Sequence, residues 1–220
     1  MNTSLMSLFG LGLLLGIKHA FDADHIAAMA TFDSKNSVCK GFFWGIGHTF
    51  SLLAVGFIVL LFKITIPETL ALSFEFIVGV MLALLGLNVL ISIKKNKLHL
   101  HKHNHAGKEH MHLHSHLDGK SHSHDHRPFM IGLVHGLAGS AALILLVLST
   151  IDSVFMGILY ILVFGAGSII GMTAISKVIS LPFKYMANML HKTDKMLRLA
   201  AGFVSLAFGI SIMYNTIILF

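Results

Sequence analysis

A chain of 220 residues with 55% hydrophobic residues, 12% charged residues and a mean hydropathy of +0.80 is not a soluble domain, which needs about 25% charged residues to cover its surface. Ten of the 26 charged residues fall between Lys94 and Arg127, leaving 16 for the other 186 positions, so most of the remaining chain belongs in lipid. The net charge of +6 does not point to nucleic acid, because the lysines sit in short loops beside apolar runs, as on the cytoplasmic side of a membrane protein. Cys39 is the single cysteine, which excludes an intramolecular disulfide and every CxxC site.

Apolar runs near 5–29, 41–62, 70–93, 129–149, 153–175 and 196–219 predict six transmembrane helices of an all-α, polytopic membrane protein. The first run lacks a basic n-region and an A-x-A site, so it is expected to be a spanning helix rather than a cleaved leader. Lys/Arg residues number 14 in the loops after the first, third and fifth runs, against Lys63 alone on the opposite side. That asymmetry predicts both termini outside and the intervening loops in the cytoplasm of a cell membrane.

Two related halves are expected. Gly79 and Gly86 match Gly202 and Gly209 at an offset of 123, and Gly16-Ile-Lys-His19 resembles Gly132-Leu-Val-His135. Three spans each would give the halves opposite orientations, a plan in which a transporter's substrate site lies where the repeats meet. The predicted units are residues 1–93, a His-rich cytoplasmic loop at 94–127, and residues 128–220. Leu98 to His126 holds 11 of the 16 histidines and nothing that builds a core, so it reads as disordered. Such tracts bind borderline metals loosely, which suggests buffering or sensing. The basic stretch Lys177 to Lys195, which includes Pro182, is expected to form a short amphipathic helix at the cytoplasmic interface.

The first span carries Lys18-His-Ala-Phe-Asp-Ala-Asp-His25. Each centrally placed Lys or Asp costs about 2.5 to 3.5 kcal/mol to insert, which packing alone does not require. Lys18 and Asp22, four apart, can partly neutralise each other; that leaves Asp24, His19 and His25 unexplained. On a regular helix His19, Asp22 and His25 share one face and Asp24 points away, so bringing Asp24 in requires local unwinding. Both arrangements stay open. Imidazole with carboxylate suits nickel, cobalt or zinc, whereas magnesium and calcium prefer oxygen alone. His48, in Gly45-Ile-Gly-His-Thr-Phe-Ser51, and His135, in Gly132-Leu-Val-His-Gly-Leu-Ala-Gly-Ser140, sit at a similar depth in their spans and complete the candidate set.

The spacing of His19, Asp24 and His25 in Lys-His-Ala-Phe-Asp-Ala-Asp-His-Ile resembles the signature helix of the nickel/cobalt transporter family, and Gly47-His48-Thr-Phe-Ser51 resembles its next motif. The resemblance covers most of the chain. It implies nickel or cobalt transport with His19, Asp22, Asp24 and His25 in metal recognition and His48 beside them. Two departures stand out: the core family has a helix before the signature, and an acidic motif where His135-Gly-Leu-Ala-Gly-Ser140 stands here. Both look more like the shorter, urease-associated nickel permease branch.

A secondary importer of nickel or cobalt is therefore expected, not an enzyme and with no cofactor beyond the transported ion. No phosphate loop and no H-E-x-x-H is present. Efflux for metal resistance and a membrane-anchored metal sensor or chaperone are the competing functions; an anchor, however, needs no Asp22 or Asp24. The expected partners are the divalent ion and the lipid bilayer, with cytoplasmic nickel chaperones and a second copy of the chain as further candidates.

Overall fold

The computed structural model describes the backbone of residues 3–32, 36–95, 100–105, 108–113, 126–138, 153–189 and 191–220. The helices are α1 (Thr3–His19), α2 (Ala23–Ala30), α3 (Ser37–Phe62), α4 (Glu68–Lys95), α5 (Arg127–His135), α6 (Val154–Met189) and α7 (His191–Leu219). Four of these, α3, α4, α6 and α7, contain stretches long and apolar enough to cross a membrane; α1 and α2 together pass the same test as one span bent by 48°. This is a multi-pass membrane protein. The predicted run at 129–149 begins with α5, and its remainder, 139–149, lies outside the described residues.

α3 and α6 are the inner pair, with 44% of their apolar windows buried, and α4 and α7 the outer pair, with 22%. Phe57, Phe62, Phe155, Phe203 and Ile217 stand exposed on outward faces, where hydrocarbon is their natural solvent. α1 packs on α6, α5 on α3, α3 on α6, and α4 on α7.

Glycine makes these approaches close enough to bring backbones together, and the contacts are reciprocal between the halves. A Cβ at Gly47 would strike the Phe129 carbonyl and reach Leu133 N, while one at Gly167 would strike the Leu13 carbonyl and reach Ile17 N. Gly132 lies on Trp44 O and His48 N as Gly16 lies on Phe164 O and Ser168 N. On the outer pair, Gly86 meets Gly202 O and Leu206 N, and Gly209 meets Gly79 O and Ala83 N. Hydroxyls add cross-helix bonds, Ser51 Oγ to Leu133 O at 2.6 Å and Ser205 Oγ to Leu82 O at 2.9 Å, the small-residue and hydroxyl packing that apolar surroundings favour.

Two helices stop at a histidine, and both stop the same way. After α1, Ala20 N donates to Gly16 O, then Phe21 N to Lys18 O and Asp22 N to His19 O. After α5, Gly136 N donates to Gly132 O, then Leu137 N to Val134 O and Ala138 N to His135 O. The switch to bonds across three residues tightens the final turn and satisfies carbonyls that would otherwise be orphaned. Asp22 then takes an extended conformation (φ −62°, ψ 146°) before α2.

Two expectations are corrected. Within the His-rich loop, β1 (Leu100–His105) and β2 (Lys108–Leu113) pair antiparallel, with His101 opposite His112 and His103 opposite His110. The alternation of histidine with other residues has the period of a strand, and residues 100–105 and 108–113 form this hairpin where disorder was expected; the rest of 98–125 lies outside the described residues. The second correction concerns the expected interfacial helix: α6 instead runs through Pro182 to Met189. Its 36 residues span about 54 Å at 1.5 Å per residue, more than the roughly 30 Å of hydrocarbon, so the end of this helix projects beyond the bilayer.

Candidate metal centre

The break between α1 and α2 places the signature residues. α1 ends on His19, the loop turns through Asp22, and α2 begins with Ala23 and carries Asp24 and His25 in its first turn. Unwinding at residues 20–22 rotates Asp24 away from the direction a continuous helix gives it. It faces the cluster, with Oδ1 3.1 Å from His25 Nδ1 and Oδ2 3.1 Å from His135 Nε2. Irregular backbone is tolerated at membrane depth where it is buried in protein or lines a cavity.

His19, His25, His48 and His135 come together from α1, α2, α3 and α5, and all four are buried. Ring centroids are 4.2 Å apart for His25 and His135, 4.5 Å for His19 and His25, 5.1 Å for His19 and His48, 5.3 Å for His25 and His48, and 6.3 Å for His48 and His135. His19 Nε2 and His48 Nε2 lie 3.3 Å apart. Ligand atoms of His19, His25 and His48 fall within 4.8 Å of one another, as do those of Asp24, His25 and His135.

Asp22 occupies a different role from the one its helical position suggested. It sits at the N-cap of α2 without capping it; its Oδ2 accepts from His19 Nδ1 at 2.7 Å. This partner is His19, not Lys18. The bond places the His19 proton on Nδ1 and leaves the Nε2 lone pair facing His48, the way a carboxylate orients a metal-binding imidazole from behind. Asp22 is half-exposed and Asp24 about a quarter, so the carboxylates lead from the surface of the fold to the buried rings.

Among the described residues, His25 Nε2, His48 Nδ1, His135 Nδ1 and Trp44 Nε1 are buried without a hydrogen-bond partner. Each such atom costs about 1 to 3 kcal/mol, and three of the four belong to this cluster of imidazoles. A divalent cation that takes a ring-nitrogen lone pair would satisfy an atom such as His25 Nε2, which no protein donor reaches. The donor set of imidazole nitrogen and one carboxylate fits nickel, cobalt or zinc.

Three contributors were not among the sequence candidates. Trp44 stacks on His25 with centroids 5.5 Å apart and meets His135 edge-on at 5.6 Å. Phe164 lies 5.6 Å from His19, and the fully buried Ser168 donates through Oγ to Gly16 O at 3.3 Å. The signal is in the sequence: Trp44-Gly-Ile-Gly-His48 and Phe164-Gly-Ala-Gly-Ser168 share an aromatic residue, a Gly-x-Gly and a polar residue one turn later.

The family described as the transmembrane region of cytochrome C biogenesis proteins matches residues 7–211; it is not the nickel/cobalt transporter family that the signature helix resembles. A urease accessory protein, UreH from Bacillus sp. (strain TB-90), is 40% identical over 216 residues, covering 96% of this chain and 92% of its own. No solved structure matches. The chain therefore belongs to the cytochrome C biogenesis transmembrane-region family and, within reach of direct sequence identity, to the kind represented by that urease accessory protein.

Proposed function

We propose that the protein is a secondary transporter of divalent nickel, or cobalt, across the cell membrane, and that it works as an importer. The observation that carries this reading is the cluster of four buried imidazoles with Asp24, assembled at a break in a spanning helix. Charged and ionisable groups at membrane depth are expensive and mark ion pathways. The urease accessory name of the relative agrees with the urease-associated nickel permease that the motifs resemble. Thiol relay chemistry, a second reading for a family described by cytochrome C biogenesis, needs two cysteines, and this chain has Cys39 alone.

Inward movement has a sufficient driving force. A divalent cation drawn in by an inside-negative potential of 100 mV gains about 4.6 kcal/mol, at roughly 2.3 per charge. Export would have to be coupled to another gradient. The reciprocal glycine contacts and matched helix ends support two inverted three-helix repeats, residues 1–93 and 128–220, around the loop at 94–127. Six spans follow from that reading, the fourth starting with α5. The Lys/Arg asymmetry supports external termini and a cytoplasmic His-rich loop, where chaperones would collect the ion; no catalytic residue or resident cofactor is assigned.

Uptake of radioactive nickel by cells with and without the expressed chain tests this function. Accumulation above control cells supports import, depletion reverses the direction, and no difference for nickel, cobalt or zinc removes the transport reading.

A further inference from the structure

We propose that the centre holds one ion at a time at two stations that share His25, and that the ion passes between them across the His25 ring. The proposal rests on the reading of the cluster as a divalent-ion site. It follows from the two groups of converging ligand atoms, His19 with His25 and His48, and Asp24 with His25 and His135, which have only His25 in common.

The two nitrogens of His25 address different neighbours. Nδ1 lies 3.1 Å from Asp24 Oδ1, while Nε2 is buried without a partner. A neutral imidazole offers one lone pair and carries its proton on the other nitrogen. His25 therefore serves one group or the other, and never both unless it is stripped of its last proton.

At the first station the ion is bound by His25 Nε2, His19 Nε2 and His48 Nε2. Asp22 and Asp24 then act as positioning residues, accepting from His19 Nδ1 and His25 Nδ1. At the second station the ligands are His25 Nδ1, an oxygen of Asp24 and His135 Nε2. Transfer breaks the three bonds to the first set and forms the three to the second. The His25 proton moves from Nδ1 to Nε2 and the His135 proton from Nε2 to Nδ1, so each ring keeps one proton and none is gained or lost overall. The first station draws only on α1, α2 and α3, whereas the second adds α5. The ion thus crosses from one half of the chain to the contact between the halves.

Trp44, the single tryptophan, stacks on His25 and reports the centre without interference from the His-rich loop. The full chain, its His48→Ala and His135→Ala variants and the double variant are purified in detergent and titrated with Co2+ while Trp44 fluorescence is read. Bound Ni2+ is counted by equilibrium dialysis against a His25→Ala variant. Each single variant is expected to keep the fluorescence response and lose nickel uptake, because one station remains but transfer requires both. The double variant is expected to lose the response, and His25→Ala to lose one ion relative to the parent. Loss of the response in a single variant whose His→Gln counterpart, eluting as a folded particle, also lacks it overturns the proposal in favour of one undivided site. Loss of two ions in His25→Ala overturns it in favour of simultaneous occupancy. A parent chain with neither a fluorescence response nor an ion lost in His25→Ala sinks the metal-site reading itself.

Discussion

His19 and Asp22 form the shortest contact in the centre, Nδ1 to Oδ2 at 2.7 Å, and Asp22 makes it with the side chain that would otherwise cap α2. A good N-cap is worth about 1 kcal/mol; here that acceptor is spent on fixing an imidazole. Loss of such an orienting carboxylate typically weakens metal binding 10- to 100-fold. Asp22→Ala is therefore expected to raise the half-saturation concentration for nickel uptake by about that factor. Asp22→Asn, whose amide oxygen still accepts from His19 Nδ1, is expected to recover most of it. Equal damage from Ala and Asn would make Asp22 a direct ligand.

Asp24 and His25 differ from Asp22 in that both contact His135, Asp24 Oδ2 at 3.1 Å from its Nε2 and the His25 ring at 4.2 Å between centroids. Asp24→Ala and His25→Ala are each expected to abolish uptake while the protein still inserts. Removing Asp24 relieves an insertion cost of about 2.5 to 3.5 kcal/mol, so membrane levels should not fall. Uptake at matched protein level settles the matter: parental rates in either variant would exclude the signature residues from the pathway.

Four of the expected runs were legible because hydropathy needs no tertiary knowledge: they correspond to α3, α4, α6 and α7, although α6 continues well past the expected end at residue 175. Membership of His19, His25, His48 and His135 in one cluster was legible from depth. The roles of the two carboxylates were not. A regular period of 100° per residue puts Asp22 with the histidines and Asp24 away from them; the break at residues 20–22 brings Asp24 onto His25 and His135 while Asp22 keeps only His19. Neither proline nor an isolated glycine marks that break, which the His19–Asp22 hydrogen bond accompanies. The separate interfacial helix expected over Lys177 to Lys195 was misread because a basic stretch that includes Pro182 looks like a new element, yet Pro182 lies within α6.

The close approach of α5 to α3 makes a second class of prediction. A Cβ at Gly132 would collide with the Trp44 carbonyl and its ring, next to His48 N. Overpacking of this kind costs about 1 to 3 kcal/mol, and here it would also push His135 away from Asp24. Gly132→Ala is expected to lower the melting temperature in detergent and reduce uptake. Gly10→Ala, with nothing within 4 Å of its Cβ, is expected to change neither. Parental behaviour of Gly132→Ala would mean that this helix contact is not needed.

Deleting residues 98–126 is expected to spare uptake at low nickel and to alter the response to metal load. Among the described residues the clustered ligands are His19, Asp24, His25, His48 and His135, all outside that segment, and its hairpin is held by its own strand pairing. A correctly inserted deletion variant with no uptake at any nickel concentration would move the loop from storage or sensing into the transport path.

Trp44 supplies the most direct test of where the ion sits. Its ring stacks on His25 at 5.5 Å and meets His135 at 5.6 Å, so an ion bound to either imidazole lies within a few ångströms of the chain's only indole. Nickel and cobalt have partly filled d shells and quench an excited indole at that range, whereas zinc is d¹⁰ and redox-inert. Titration of the purified chain is expected to show saturable quenching by Ni2+ and Co2+. Zn2+ should quench little by itself, yet compete the nickel signal away if it occupies the same nitrogens. His25→Ala should remove the saturable component while leaving the weak collisional quenching that any exposed metal produces. Quenching that persists unchanged in His25→Ala would place the ion elsewhere, and quenching by zinc equal to that by nickel would show a conformational rather than a proximity effect.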